Sequence, residues 1–302
     1  MSDFVQQNAS TVDFESIGSD SWVILSPIEI SIKRKIESVG VPLKDWDIKI
    51  YRGVLTGYND AFIISTETRD CILNNCTSEE ERKRTEELIR PILRGRDIKR
   101  YGYDWAGLYL IATFPSRHYN IEEYPAVKEY LLSFGMERLE QTGKEYIIDG
   151  QKVKARKKTN NKWFETQDSI SYWDDFNKTQ IVWLELTDEP KFTLVNKMVS
   201  LNTVFFMTGE HLPHILGQLN SKLITWYFHK CLGARSGVGT NRWLKYTIEQ
   251  LPLAPYAEGY GEKAHMLNKK YSANCDEVVN HLTCGLFGLT ETEEEFVNQF
   301  HV

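Results

Sequence analysis

Residues 50–64 read Ile50-Tyr51-Arg52-Gly53-Val54-Leu55-Thr56-Gly57-Tyr58-Asn59-Asp60-Ala61-Phe62-Ile63-Ile64. The β-branched and aromatic residues at both ends are typical of short strands. We expect the loop between them to bend at Gly53 and Gly57, where the backbone can adopt a positive φ without a Cβ clash. Thr56, Tyr58 and Asn59 offer hydroxyl and amide groups that can read the hydrogen-bonding edges of a partner. A plain hairpin turn is the alternative that these residues leave open.

Further motifs follow this opening segment in a fixed order. They are Arg90-Pro91-Ile92-Leu93-Arg94-Gly95-Arg96-Asp97-Ile98-Lys99-Arg100-Tyr101, Tyr124-Pro125-Ala126-Val127, Lys162-Trp163-Phe164-Glu165, Leu219-Asn220-Ser221-Lys222-Leu223 and Gly285-Leu286-Phe287-Gly288-Leu289-Thr290. In this combination the chain resembles the TaqI-type specificity domain, the target-recognition part of adenine-specific DNA methyltransferases and of fused type IIG restriction-modification enzymes. The resemblance implies recognition of a double-stranded DNA sequence and no catalysis by this chain.

Composition is that of a soluble globular protein, with 41% hydrophobic and 26% charged residues over 302 positions. That length holds one large or two modest domains. No apolar run is long enough to cross a membrane, and the acidic first thirty residues lack a secretory signal. The five cysteines contain no C-x-x-C pair, so we expect a cytoplasmic protein without a zinc site or a disulfide framework.

The net charge of −6 opposes DNA binding, because phosphates repel an acidic protein. Residues 1–30 and residues 258–302 each carry −5, however, which leaves +4 on residues 31–257. The positive charge is therefore concentrated in the part that resembles the recognition domain. We expect the acidic ends to be solvated or to face another domain.

Three loop-like segments, at residues 90–101, 152–162 and 233–245, combine basic residues with glycine, amide and aromatic residues. Lysine and arginine suit phosphates, and arginine and asparagine suit base edges in the major groove. We expect these segments to converge on one groove for a double helix. A solvated charged surface or a disordered loop is the alternative for each segment. The candidate DNA contacts are Thr56, Tyr58, Asn59, Arg94, Arg96, Lys99, Arg100, Lys154, Arg156, Lys157, Lys158, Asn160, Asn161, Lys162, Arg235, Asn241, Arg242 and Lys245.

No catalytic centre is predicted. The chain lacks an Asn-Pro-Pro-Tyr tetrapeptide to hold a flipped base and a glycine-rich turn to hold S-adenosylmethionine. Asp174 or Asp175 with Glu185 could begin a nuclease motif, but Thr187 stands where the lysine belongs. Three histidines at 211, 214 and 229 are spaced three and fifteen residues apart, which favours surface or packing roles over a metal site. We therefore expect S-adenosylmethionine and Mg²⁺ only in catalytic domains of the parent enzyme.

Capping and turn residues in the sequence predict the positions of several helices and one hairpin. Ser26-Pro27-Ile28-Glu29 has the form of a capping box that opens a helix ending at Gly40 and Pro42, and Thr290-Glu291-Thr292-Glu293 opens the last helix. Residues 66–75 and 78–89 are predicted helices, the second stopped by Pro91. Residues 145–153 are a predicted hairpin that turns at Asp149-Gly150.

We predict an α+β fold, with a mixed β-sheet target-recognition domain, flanking helices and a small helical C-terminal subdomain. Residues 1–21 are a linker or arm, residues 22–257 the recognition domain and residues 258–302 the helical subdomain. The expected partners are double-stranded DNA and the methyltransferase or nuclease domain of the parent enzyme, with no membrane. A protein-interaction or scaffolding module of a defence complex is one alternative, and a hydrolase with an unrecognised site is another.

Overall fold

The protein combines helices with several small β-sheets, which confirms the α+β class. The structure, a computed structural model, describes residues 25–187, 189–232, 235–236 and 240–300. The expected linker or arm at residues 1–21 lies outside them. The described helices are α1 (Pro27–Val39), α2 (Asn59–Phe62), α3 (Thr66–Asn74), α4 (Glu79–Leu88), α5 (Pro125–Leu132), α6 (Met136–Leu139), α7 (Leu212–Asn220), α8 (Lys222–Tyr227), α9 (Lys245–Ile248), α10 (Tyr260–Lys269), α11 (Ala273–Leu286) and α12 (Glu291–Asn298).

The strands are short, and most of them are separated by loops rather than by tight hairpins. They are β1 (Val41–Pro42), β2 (Ile48–Arg52), β3 (Ile63–Ser65), β4 (Ile89–Leu93), β5 (Ile98–Lys99), β6 (Gly102–Tyr103), β7 (Leu108–Ile111), β8 (Glu145–Ile148), β9 (Gln151–Lys154), β10 (Thr179–Leu184), β11 (Leu186–Thr187), β12 (Thr193–Asn196), β13 (Val199–Ser200), β14 (Val204–Gly209), β15 (Arg235–Ser236), β16 (Thr240–Arg242) and β17 (Pro252–Leu253). Because each strand is short, each sheet needs an apolar face packed on other elements to be stable.

The chain forms two compact units that are each discontinuous in sequence. The central unit comprises Lys49–Glu185 and Thr193–Thr208, and the terminal unit comprises Met1–Ile48, Leu186–Phe192 and Gly209–Val302. This grouping differs from the linear division expected from the sequence, in which residues 258–302 stand apart. Helix α10 packs closely on α7, where a Cβ added to Gly217 would lie 2.9 Å from the Tyr260 ring, so the C-terminal helices belong to the terminal unit.

Two four-stranded sheets organise the central unit. The first has the order β12-β10-β14-β2, with β10 antiparallel to both of its neighbours. The second has the order β13-β4-β7-β3, in which β13 runs parallel to β4 and the other pairs are antiparallel. Their apolar residues form one buried cluster, which includes Ile92, Ile111, Phe176, Val182 and Phe206. Burial of this cluster is the main favourable contribution to the stability of the unit.

The opening segment departs from a hairpin. Strands β2 and β3 occur where the sequence predicts them, but they belong to different sheets, and the helical turn α2 lies between them. Gly57 has a φ of +79°, as expected. Gly53 has no positive φ. Glycine is needed there because the backbone of Leu201 passes so close that a Cβ at position 53 would lie 2.1 Å from the Leu201 carbonyl oxygen. The expected bend at Gly53 is thus corrected to a tight backbone crossing.

Local sequence signals elsewhere are confirmed. In α1 the Ser26 amide donates to the Glu29 carboxylate at 2.7 Å, and in α12 the Thr290 amide donates to Glu293 at 2.7 Å. The hairpin of β8 and β9 turns at Asp149 and Gly150, which both have a positive φ. Pro91 does not stop α4, because the helix already ends at Leu88 and Pro91 lies within β4.

In the terminal unit, α7 and α8 are almost wholly buried, and Ser221 separates them. The unit also contains the short β1–β17 pair and the sheet of β11, β16 and β15. The last helix is fixed to the first, because Ser31 and Lys35 of α1 donate to the Glu293 carboxylate at 2.7 and 2.6 Å. The first and last described helices therefore share one packed unit.

Among the described residues, no helix is both long and apolar enough to cross a membrane.

Glu293 should make the stability of the protein depend on pH. Burial alone would raise the pKa of Glu293, but hydrogen bonds from Lys35, Thr290 and Ser31 lower it from 4.5 to about 2. A carboxyl whose pKa is lower in the folded state stabilises the fold above its unfolded pKa, and this stability is lost as the pH falls through the folded pKa. We expect Glu293→Gln to lower the free energy of unfolding by about 2 kcal/mol at neutral pH.

Urea unfolding followed by tryptophan fluorescence checks this expectation. The difference between wild type and Glu293→Gln should shrink as the pH is lowered from about 5 towards about 2. Glu291→Gln, which removes an exposed acid from the same helical turn, is the matched control and should change stability by less than about 0.5 kcal/mol. A difference that stays constant down to low pH would contradict the proposed role of the carboxylate.

Candidate nucleic-acid interface

A buried arginine holds together two loops that carry half of the predicted DNA contacts. Arg156 is only 4% exposed. Its Nε donates to the Leu139 carbonyl at 2.8 Å, and its Nη1 donates to the carbonyls of Thr56 at 3.1 Å and Glu165 at 2.7 Å. Its Nη2 donates to the carbonyl of Trp163. One guanidinium therefore joins the end of α6, the opening loop (residues 53–58) and the basic loop (residues 154–168).

This placement corrects the expectation that Arg156 contacts DNA. Burial lowers the pKa of Arg156 to about 10, against a small opposing effect of Glu165, so the guanidinium remains charged at neutral pH. A buried charge is tolerated when its donors are hydrogen-bonded, and here they meet main-chain carbonyls of three segments. Arg156 positions the loops and is not available to a ligand.

The amide side chains of Gln141 and Asn161 also donate hydrogen bonds to carbonyls of the basic loop. Gln141 Nε2 donates to the carbonyls of Lys162 at 3.1 Å and Glu165 at 3.0 Å. Asn161 Nδ2 donates to the carbonyls of Thr166 and Gln167, at 3.2 and 2.9 Å. Asn161 is half-buried and its amide is used within the loop, which corrects its assignment as a base-reading residue.

The opening loop is hydrogen-bonded to the end of the basic loop. The amides of Gln167 and Asp168 donate to the carbonyls of Thr56 and Leu55, at 3.1 and 3.2 Å, and the Leu55 amide donates back to Asp168 Oδ2 at 3.1 Å. Burial raises the pKa of Asp168, although the bond from Leu55 opposes that effect. The two loops therefore form one structure.

Thr56 is fully buried, so its predicted DNA contact is also corrected. Its hydroxyl donates to Asn59 Oδ1 at 2.6 Å and accepts from the Tyr58 amide at 3.1 Å, which fixes the shape of the opening loop. Tyr58 is half-buried, and the Arg138 guanidinium lies 4.7 Å from its ring centroid. Asn59 is exposed. Of the three predicted contacts in this segment, Asn59 is the most accessible to a partner.

Five polar side chains of the basic loop point to solvent. Lys154, Lys157, Lys158, Asn160 and Lys162 are all exposed. Within the part of the chain that the structure describes, no ion pair joins Lys157 or Lys158 to a carboxylate. The positive charge of these side chains is therefore not neutralised locally, and the loop presents a positive surface.

Residues 90–101 form a second basic segment, and only some of it is accessible. Arg94 is paired with Asp97, with the Arg94 Nη2 to Asp97 Oδ1 distance at 2.7 Å, and closes the turn after β4. Burial alone would raise the pKa of Asp97, but the hydrogen bonds from Arg94 lower it. Lys99 lies 3.7 Å from Asp104, and Arg100 lies over the Tyr101 ring at 5.1 Å. Arg96 is exposed.

The third basic segment, residues 233–245, belongs to the terminal unit. Arg242 is exposed, and Lys245 lies 3.7 Å from Glu249. The side chains of Arg235 and Asn241 lie outside what the structure describes. The structure thus brings the opening and basic loops together, whereas the convergence of all three basic segments stays a prediction.

Sequence reasoning missed the residues that support these loops. Gln141 and Asp168 lie outside the motifs that the sequence shows. Neither has a local signal, because the bonding partner of Asp168 is Leu55 and those of Gln141 are 18, 21 and 24 residues away.

Among the described residues, no group of three or more His, Cys, Asp and Glu side chains is arranged to hold a metal ion.

The role of Arg156 can be separated from that of its exposed neighbours. Arg156→Met removes a hydrogen-bond donor from carbonyls of three segments, and Arg156→Lys cannot reach all of these carbonyls with one ammonium group. We expect each variant to lower the free energy of unfolding by about 3 kcal/mol, measured by urea unfolding. Lys157→Met, next in sequence but exposed, should change it by less than about 0.5 kcal/mol. Equal stability of Arg156→Met and Lys157→Met would show that the guanidinium does not hold the loops.

Comparison with solved structures relates the fold to two enzymes. The type IIG restriction endonuclease BpuSI aligns with 90% of this chain at a TM-score of 0.51 and 11% sequence identity. The type IIL restriction-modification enzyme MmeI, solved in complex with DNA, aligns with 94% at a TM-score of 0.52 and 12% identity. The chain spans only 33% and 38% of those two proteins. At this identity the likeness shows the fold alone.

Sequence comparison is more specific. A search of curated protein sequences finds no match to the chain. The family model of the TaqI-like C-terminal specificity domain matches residues 90–253, which include the second basic segment, the basic loop and most of both central sheets. Since this match covers more than half of the 302 residues, the chain belongs to the TaqI-like C-terminal specificity domain family.

Proposed function

We propose that the chain recognises a specific sequence of double-stranded DNA for a restriction-modification enzyme. The single observation that carries the proposal is its membership in a specificity-domain family. The exposed, locally unneutralised lysines of the basic loop support it, because phosphate contacts supply most of the affinity of proteins for DNA.

The exposed residues divide into two roles. Lys157, Lys158 and Lys162 suit phosphates, because an ammonium on a flexible stem needs no fixed geometry. Asn59 and Asn160 offer both donors and acceptors, and Arg96 offers the planar fork that suits guanine. Further contacts come from Tyr58, Lys99, Arg100, Lys154, Arg235, Asn241, Arg242 and Lys245.

Catalysis would belong to other parts of the parent enzyme. The chain spans about a third of the two solved enzymes with which it shares its fold. It has neither the tetrapeptide that holds a flipped adenine nor, in its described part, a carboxylate cluster for a metal. We propose a parent that is an adenine-specific methyltransferase, with or without a fused endonuclease. S-adenosylmethionine and Mg²⁺ would be bound by the catalytic domains of that parent enzyme.

The proposal predicts sequence-selective and salt-dependent binding. Duplexes are selected from a random pool with the full chain, and their affinity is measured by fluorescence anisotropy over a range of salt concentrations. Lys157→Gln with Lys158→Gln should weaken binding about tenfold and reduce the salt slope by about 2, because each lysine neutralises one phosphate.

A matched double variant controls for net charge. Lys44→Gln with Lys83→Gln removes the same charge from exposed positions outside the basic loop and should leave affinity within about twofold. A chain that selects no duplex from the pool would refute the proposal, and so would binding that ignores both salt and sequence. A protein-interaction module is expected to give the first result, because it has no affinity for the duplex.

A further inference from the structure

The β8–β9 hairpin has two faces of different character. In its antiparallel register Glu145 lies opposite Lys154 and Ile147 lies opposite Lys152, and directly opposed residues share a face. These four residues form the outer face, and all of them are exposed. Ile147 is 77% exposed, the largest value among the exposed large apolar side chains of the described residues.

The other face packs against the central unit at Tyr146 and Val153, which are half-buried, whereas Ile148 and Gln151 next to the turn are exposed. The Tyr146 hydroxyl donates to Glu140 Oε2 at 2.8 Å. The base of the hairpin is held where the Ala155 amide donates to the Lys144 carbonyl at 2.9 Å and the Gly143 amide to the Arg156 carbonyl at 2.8 Å. The hairpin is therefore fixed at its base and inner face, and its outer face is presented to solvent.

A single exposed isoleucine needs no explanation, because scattered apolar residues are normal on protein surfaces. The combination on the outer face is more informative. Two ammonium groups, one carboxylate and one branched apolar side chain lie together on a two-stranded ribbon next to the positive basic loop. Such a positive setting favours a polyanion over an apolar protein surface as the partner.

Each of these side chains matches a group on a base edge. Lysine donates to guanine O6 and N7, a carboxylate accepts from the cytosine amino group, and an apolar side chain contacts the thymine methyl group. All of these base groups face the major groove, which is about 12 Å wide and admits a two-stranded ribbon. The minor groove, about 6 Å wide, is too narrow and carries no methyl group.

We propose that the β8–β9 ribbon enters the major groove of the target duplex and reads it with its outer face, where Ile147 contacts the C5-methyl group of a thymine. This inference rests on the proposed DNA recognition and deepens it by naming the reading element. Lys152, Lys154 and Glu145 flank Ile147 on that face and would read neighbouring guanine and cytosine edges.

Replacement of thymine by uracil tests the methyl contact, because uracil differs only by loss of that group. The full chain is titrated with a duplex selected from a random pool and with copies in which each thymine in turn is uracil. Uracil in place of the thymine that Ile147 contacts should weaken binding of the wild-type chain about fourfold. Ile147→Ala should weaken binding to the unsubstituted duplex about tenfold, and the same uracil should then cost it less than about twofold.

Leu132→Ala is the matched control, since Leu132 is an exposed apolar residue of α5 in the same unit and should leave affinity unchanged. Circular dichroism and thermal unfolding verify that Ile147→Ala is folded, which its exposure favours. A selected duplex that is insensitive to every uracil would overturn the inference. Equal losses for wild type and Ile147→Ala would also overturn it, and either result leaves DNA recognition intact. Failure to select any duplex removes both proposals.

Discussion

The central unit depends on one buried cation that holds polar loops in place. The basic loop contributes Phe164 and part of Trp163 to the core, but most of its residues are polar, and ordering each residue costs about 1–2 kcal/mol of conformational entropy. Arg156 offsets this cost by donating to the carbonyls of Leu139, Thr56, Glu165 and Trp163, so that one side chain supplies hydrogen bonds to four main-chain acceptors. Its own burial is tolerable for the same reason, because every donated hydrogen bond compensates lost hydration. The guanidinium and the loops are thus mutually dependent.

The same arginine explains how flexible side chains acquire a defined position. Its amide donates to the Glu140 carbonyl and its carbonyl accepts from Gly143, so the strand that enters the basic loop and the base of the hairpin are set together. Lys157 and Lys158 directly follow Arg156, whose main-chain hydrogen bonds fix the backbone at the start of this run. A binding surface whose backbone is ordered before binding loses less entropy on association. An ordered backbone that carries flexible lysine side chains therefore combines affinity with a fixed binding register.

Sequence reasoning succeeded where the determining contacts are local. The capping boxes at Ser26 and Thr290 and the turn at Asp149-Gly150 are each decided within four residues, and each is confirmed. It failed where partners are distant in sequence. The strands on either side of Gly57 join different sheets, because β2 pairs with a strand near residue 206 and β3 with one near residue 110. Arg156 is indistinguishable in sequence from the lysines beside it, since only the tertiary fold decides which cation of the run is enclosed.

The acidic total of −6 does not prevent a positive surface, because charges act over short distances. At physiological salt the Debye length is about 8 Å, so a phosphate responds to nearby charges rather than to the sum over the chain. Several acids of the terminal unit are also neutralised where they stand. Glu293 lies 2.6 Å from Lys35, and Glu29 lies 2.8 Å from Lys230. Burial by itself would raise the pKa of Glu29, but its bonds to Lys230 and Ser26 lower it, which keeps this carboxylate ionised and paired. The distribution of ion pairs, more than the net charge, therefore decides where a polyanion can bind.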